Sequence, residues 1–241
     1  MIRTIRIVGL GQIGGSLVLA LRKRKAPFEI SGVDISQKRL LLLSSYLDER
    51  AGEPDLTIVC LHFQETLNFL QSASASSLIL DVCSSKKTIL EQAVALGLRF
   101  VGGHPLAGNE RAGEEGWDEN LFEHTPFFLA PLPAVAAADI DAIADVVRVL
   151  GAYPLFVDPA EHDRQLAMTS HFPAFLSVLL EKCSQQSGKQ FQGPAYKSMT
   201  RLAASPPELL ATFLKSNREN ILRVAKHFEK GLREWIAELE T

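Results

Sequence analysis

Short apolar runs alternating with helix-period segments fill the first two thirds of the chain. Residues 5–8 form a β-branched run that stops at Gly9, and an apolar segment then runs over 13–21, which predicts a strand, a glycine turn and a helix. A second short strand over 30–33 ends at Asp34. The runs at 56–61 and 78–82 have the continuous apolar character of strands buried on both faces of a parallel sheet, with a helical stretch near 64–71 between them. Residues 100–101 and 126–130 extend the sheet. After the Pro/Ala-rich stretch 131–138, a helix over 140–150 and a strand over 154–157 complete it. The pattern predicts an α/β domain, a doubly wound parallel sheet, over residues 1–157. Only about 20 residues separate Asp34 from the strand at Leu56, so this part of the domain is expected to be trimmed.

From Glu161 onward the strand signal stops, and an all-helical domain is expected over 158–241. Its last segment is the most regular. Leu210, Leu214, Asn217, Ile221, Val224, Phe228, Leu232, Trp235 and Leu239 recur at steps of three and four, which predicts one amphipathic helix of about eight turns. So small a domain does not easily cover so long a stripe, so a partner subunit in a two-fold homodimer is expected to help cover it, with packing within the monomer as the alternative.

The composition narrows the functional classes. Twenty-five Lys and Arg against 28 Asp and Glu give a net charge of −3, with 46% hydrophobic residues, which excludes wholesale disorder and a nucleic-acid binder working through a strong basic field. No apolar run approaches the roughly 18 residues of a membrane span, and no secretory leader pattern opens the chain. Cys60, Cys83 and Cys183 are odd in number, far apart and without a CxxC pair, so neither a disulfide framework nor a metal cage is expected. The expectation is a cytoplasmic protein with reduced thiols and no metal.

Gly9-Leu10-Gly11-Gln12-Ile13-Gly14 follows a predicted strand and opens a predicted helix. In such a turn the first Gly permits the bend, the second lets backbone approach a pyrophosphate, and the third lets helix and strand pack closely. The helix N-terminus offers N–H groups and a positive dipole end to the phosphates. Asp34 stands 20 residues after Gly14, where an acidic side chain accepts hydrogen bonds from ribose hydroxyls and repels a 2′-phosphate. Gly9, Gly11, Gln12, Ile13, Gly14 and Asp34 are therefore the expected cofactor-binding residues, with NAD preferred over NADP. Lys38 and Arg39 nearby weaken the exclusion of NADP. A methyltransferase with a similar glycine turn is the structural rival.

The second chemical motif is Gly102-Gly103-His104-Pro105-Leu106-Ala107-Gly108-Asn109-Glu110, expected on a turn just past a strand end, with the imidazole open to a crevice. Histidine is the side chain that exchanges a proton near neutral pH. Gly103-His104-Pro105-Leu106-Ala107-Gly108, followed by Leu121-Phe122-Glu123, resembles the signature of the prephenate/arogenate dehydrogenase family. Further segments agree in order: Asp81-Val82-Cys83-Ser84-Ser85-Lys86, then Asp158-Pro159-Ala160-Glu161-His162-Asp163-Arg164 with Ser170-His171-Phe172-Pro173, and then Thr200-Arg201-Leu202-Ala203 with Asn217-Arg218-Glu219. The resemblance covers nearly the whole chain.

The family resemblance implies a Rossmann-type cofactor domain, a helical C-terminal dimerisation domain and an oxidative decarboxylation. Hydride passes from the ring carbon bearing the 4-hydroxyl to NAD+, the ring carboxylate leaves as carbon dioxide, and the ring becomes aromatic. By the same match, His104 accepts the hydroxyl proton and Ser84 orients that histidine or holds nicotinamide and hydroxyl in line. Arg201 binds a substrate carboxylate, His171 shapes the substrate pocket, and Asn109 touches the side-chain end of the substrate. Prephenate and arogenate both fit, differing as keto acid and amino acid at that end, with Glu110 the candidate ammonium partner. The helical segment is expected to leave no room for a sensing domain, so any tyrosine feedback would have to act at the active site.

Several positions depart from the family pattern. Cys83 replaces a Gly, Ala174 a frequent His, Pro206 a common acidic residue, and Cys60-Leu61-His62 a stretch of small residues and proline. His62 is accordingly read either as a cofactor contact or as a surface residue. These departures keep a non-catalytic dinucleotide-binding homologue in view. A β-hydroxyacid or imine-reducing dehydrogenase shares the glycine turn but lacks the His104 motif. His162 is read as fixing the turn between domains, His124 and His227 as surface or packing residues, Cys183 as buried filler and Trp235 as part of the core stripe.

Overall fold

The β-branched runs pair as the pattern requires. A computed structural model describes residues 2–49, 53–109, 111–205 and 207–241, with side chains at all of these except 208 and 209. In chain order the first unit contains β1 (Thr4–Val8), α1 (Gln12–Lys23), β2 (Glu29–Val33), α2 (Gln37–Leu42), β3 (Leu56–Val59), α3 (Phe63–Ser72), β4 (Leu78–Asp81), α4 (Lys87–Ala95), β5 (Arg99–Pro105), β6 (Pro126–Pro131), α5 (Ala137–Val149) and β7 (Tyr153–Phe156). The sheet runs β2-β1-β3-β4-β5-β6-β7. β3 and β4 are buried along their whole length, as strands covered on both faces must be. Ile5, Ile7, Leu17, Leu21, Ile58 and Phe100 are among the core side chains. Each such side chain contributes about 1.5–3 kcal/mol by leaving water.

Two features of this unit differ from the sequence expectation. All strand pairs are parallel except β5–β6, which is antiparallel. Among its described residues the segment joining β5 to β6 carries a 3-10 turn, Gly113–Gly116, and no crossover helix, and the chain returns alongside β5 in the opposite sense. His104 also lies inside β5, in register with Phe128, rather than on a turn beyond it. The region expected to be trimmed holds α2 and a 3-10 turn, Ser44–Tyr46, and α2 buries none of its residues.

Contacts divide the chain into residues 1–159 and 160–241. The second unit contains α6 (Pro159–Leu166), a π-helical segment Ala167–His171, α7 (Phe172–Cys183), α8 (Pro194–Thr200), α9 (Pro207–Ser216) and α10 (Arg218–Leu239). The single eight-turn helix expected from the apolar stripe is therefore two helices, interrupted at Asn217 (φ −141°, ψ 27°). Asparagine tolerates such a break because its side chain makes hydrogen bonds that a helix interior does not offer. Here the amide leaves its own helix, donating to the Asp163 carbonyl at 2.7 Å and meeting His171 Nδ1 at 3.1 Å. Cys183 is exposed, at the last residue of α7, rather than buried filler.

The stripe is buried at Asn217 and Ile221, around the start of α10, whereas Leu214 before it is exposed. Ile221 is 6% exposed, whereas Phe228, Leu232, Trp235 and Leu239 are 42–68% exposed, so Trp235 is not a core residue of the isolated chain.

Candidate active site

β1, β3, β4 and β5 are adjacent and parallel, so their C-terminal ends share one edge of the sheet. The connections from β1 run to β2 on one side and the order continues through β3 on the other, which opens a crevice at the end of β1. That edge carries the glycine turn after β1, Cys60-Leu61-His62 after β3, Ser84 after β4 and His104 near the end of β5.

The glycines are dictated by space. Gly9 has φ +90°, and a Cβ there would lie 2.6 Å from the Cys60 carbonyl oxygen; a Cβ at Gly14 would lie 1.9 Å from the Gly9 carbonyl oxygen. Around Gly11 the same test finds nothing within 4 Å, so the middle glycine faces open space. Gly11 caps α1 without a side-chain hydrogen bond, leaving the positive helix end to a ligand. Asp34 fastens the turn: Oδ2 accepts from Leu10 N at 2.6 Å and Oδ1 from Ser36 N at 2.7 Å. A carboxylate has about four acceptor positions, so capacity remains for ribose hydroxyls. These residues fit a dinucleotide.

A segment missing from the sequence reading closes over this turn. Gln12 Nε2 donates to the Asn109 carbonyl (2.9 Å), Asn109 Oδ1 (2.7 Å) and the Arg111 carbonyl (2.6 Å), and Asn109 Nδ2 donates to the Gly116 carbonyl at 3.1 Å. Trp117 Nε1 donates to the Leu10 and Gly11 carbonyls at 3.1 and 2.9 Å, and its ring occupies the place of a side chain at Gly15. Gln12 and Asn109, assigned by sequence to cofactor and substrate respectively, thus hold each other. Residues 97 positions apart carry no spacing signal for this.

His104 is 9% exposed, with the Phe128 ring 6.2 Å away. Next to its strand lies a buried ion pair, Asp81 with Lys86, for which the sequence pattern alone suggests no task. Lys86 Nζ donates to both oxygens of Asp81 (2.8 and 2.6 Å) and to the Gly103 carbonyl, and all these groups are buried. Asp81 in turn accepts from Gly103 N and Cys83 N, each at 2.9 Å. The pair therefore fixes the residues preceding His104 and Ser84. Cys83, in place of a glycine, packs its thiol 3.3 Å from Thr66 Oγ1, and burial pushes that thiol up to about 12, so it stays protonated. His62 is exposed at the start of α3, beside the turn that holds Gly9.

In the second unit His162, Asp163, His171 and Asn217 form one buried polar group. His162 Nδ1 pairs with Asp163 Oδ1 at 2.9 Å, and His171 stacks on Phe213 with ring centres 4.1 Å apart. His171 Nε2 has no hydrogen-bond partner among the described residues. Burial lowers the His171 pKa to about 4, Asp163 opposing and His162 reinforcing the shift. Arg201 is exposed and begins the 3-10 turn Arg201–Ala204, directly after α8. Glu110 and Pro206 lie outside the described residues.

The His171 shift has a measurable consequence. The unfolded chain takes up a proton near pH 6.5, the folded chain only near 4, so stability is lost as pH falls through that window and levels off below it. The loss approaches about 3 kcal/mol. Urea unfolding at pH 7 and 4.5 should show it in the wild type and not in His171→Gln; an equal loss in both would assign it elsewhere.

Comparison with known proteins agrees with this arrangement. The family model described as the prephenate dehydrogenase nucleotide-binding domain matches residues 17–154, and that described as the prephenate dehydrogenase dimerization domain matches 158–241. The glycine turn precedes the first match. A prephenate dehydrogenase of Bacillus subtilis (strain 168) is 29% identical over 98% of this chain and 68% of its own length. Among solved structures, Synechocystis arogenate dehydrogenase has a TM-score of 0.79 at 26% identity, covering 98% of this chain and 92% of that one. The fold is also that of prephenate dehydrogenase from A. aeolicus, solved in complex with hydroxyphenyl propionate and NAD+, with a TM-score of 0.89 at 23% identity over 100% and 93% of the two chains.

Proposed function

Because the chain belongs to the prephenate dehydrogenase family, we propose that it catalyses the NAD-dependent oxidative decarboxylation of prephenate to 4-hydroxyphenylpyruvate, a step of tyrosine biosynthesis. The observation that carries this reading is His104 at the same sheet edge as the glycine turn. NAD+, when bound, supplies the hydride acceptor. Gly9, Gly11, Gly14 and the start of α1 at Gln12 and Ile13 hold its pyrophosphate, and Asp34 takes its ribose hydroxyls. His104 would accept the proton of the 4-hydroxyl, so that the O–H electron pair forms the C=O bond as hydride leaves that carbon; the bond to the departing carboxylate then supplies the electrons that make the ring aromatic. Ser84 orients the histidine and the hydroxyl. Asn109 serves the site as a clasp on the segment that follows β5, Glu110 is in sequence the candidate to answer an ammonium group, and neutral His171 helps shape the pocket.

Arg201 offers a planar fork to a substrate carboxylate. Arg201→Ala should raise the KM for prephenate by about 10–100-fold with a much smaller change in kcat, as loss of a charge-assisted hydrogen bond predicts. An unchanged KM in steady-state assays would remove Arg201 from the carboxylate site.

The open apolar stripe of α10 is covered by the same stripe of a second copy, making a homodimer through the C-terminal helices. The chain works in the cytoplasm; no helix among the described residues is long and apolar enough to cross a membrane. The likeness to an arogenate dehydrogenase favours a second reading, arogenate to tyrosine by the same chemistry. NADH formation followed by absorbance, with prephenate and arogenate in parallel and NAD+ or NADP+ as acceptor, tests both. The ratio of efficiencies assigns the substrate. Silence with both, from a chain that binds NADH, would favour a non-catalytic dinucleotide-binding homologue.

A further inference from the structure

Asp34 and its neighbours give opposite instructions about the cofactor. An acidic residue at the end of β2 favours the free ribose hydroxyls of NAD, whereas two cations four and five residues later are what a 2′-phosphate needs. The structure answers with a residue from a distant segment. Glu114, on the 3-10 turn between β5 and β6, accepts from Lys38 Nζ through Oε1 at 2.6 Å and from Arg39 Nε through Oε2 at 3.0 Å. Arg39 Nη1 also lies 3.6 Å from Asp34 Oδ2, so its guanidinium is held between two carboxylates. Gly113 has φ +59°, and a Cβ there would stand 2.8 Å from Arg39 Nη2, so the turn is shaped to let that guanidinium lie against it. Lys38 beside Glu114 holds its carboxyl down at about 2, and Arg39 adds to this, so the clamp keeps its charge across neutral pH.

We propose that Glu114 sets the dinucleotide preference: by engaging Lys38 and Arg39 it withholds both cations from a 2′-phosphate and leaves Asp34 to select NAD. The proposal rests on the NAD-dependent reading above. It also gives the segment after His104 a second task, since the loop clasped to the glycine turn by Gln12 and Trp117 carries the residue that governs the adenosine end.

Binding of NADH and NADPH to the full chain, followed by nucleotide fluorescence, tests this without turnover. The wild type should prefer NADH. Glu114→Gln should move the NADPH/NADH affinity ratio toward NADPH by about tenfold, and the gain should shrink at high salt, as expected for exposed charges. The triple substitution Lys38→Gln, Arg39→Gln, Glu114→Gln should abolish the gain. An unchanged ratio in Glu114→Gln, equal weakening of both nucleotides, a wild-type preference for NADPH, or a gain that persists in the triple variant would overturn the proposal. A wild type that binds neither nucleotide would bring down the dinucleotide reading, and the clamp with it; NADH binding with an unmoved ratio would bring down the clamp alone.

Discussion

Replacing His104 by Asn is expected to lower kcat by about 10²–10⁴-fold while the NADH dissociation constant changes by less than about twofold, the range expected when a positioned general base is lost. The separation of the two effects follows from the architecture. The glycine turn is held by Gly9 against Cys60, by Asp34 on Leu10 N and by Trp117 on the Leu10 and Gly11 carbonyls, and none of these contacts involves the His104 ring. His104 itself stands on β5, whose backbone pairing with β6 does not depend on the imidazole. Asparagine keeps the approximate size and one polar end but takes up no proton. Stopped-flow or steady-state NADH formation beside NADH titration checks both halves. A variant with full turnover would remove His104 as the base, and one that no longer binds NADH would make it part of the cofactor site instead.

Much of this arrangement is written in short-range patterns. The strand–turn–helix at residues 5–21 and the placement of Asp34 need only local spacing: Gly14 packs on the Gly9 carbonyl within the same turn, although Gly9 itself is fitted against Cys60 after β3. The antiparallel β5–β6 pair is invisible because apolar runs specify strands, not their direction; direction is set by the connection, here one whose described residues form a 3-10 turn and no crossover helix. Asn217 fitted the helical spacing of the last stripe, and only its long-range bonds to Asp163 and His171 reveal a break. The same holds for Gln12 with Asn109 and for Glu114 with Lys38 and Arg39: partners 75 to 97 residues apart leave no periodic trace. Asp81 and Lys86 are an intermediate case. Their proximity in sequence was in view, but a charged pair five residues apart ordinarily marks a solvated turn.

The burial of that pair makes Lys86→Met the change with the largest expected effect on stability, a loss of about 3–5 kcal/mol, because removing one partner leaves the other charge buried and uncompensated. Lys86 gives its three donors to Asp81 Oδ1, Asp81 Oδ2 and the Gly103 carbonyl. Asp81 receives those two bonds together with Gly103 N and Cys83 N, which uses all of its acceptor positions. With no water reachable at either group, methionine of similar length fills the volume but returns none of the hydrogen bonds. The double variant Asp81→Asn, Lys86→Met should recover part of the loss, since it removes the orphaned charge while keeping an acceptor and a donor beside Gly103. A double-mutant cycle by urea unfolding measures the coupling, and near-additive losses would show that the two side chains act independently. Function should fall further than stability requires. Gly103, which directly precedes His104, loses the Lys86 bond to its carbonyl, and Asp81, which holds Gly103 N and the Cys83 N preceding Ser84, loses its cation. At a temperature where Lys86→Met remains folded, kcat should drop at least about tenfold with NADH affinity little changed. Full turnover in that folded variant would confine the pair to a structural role.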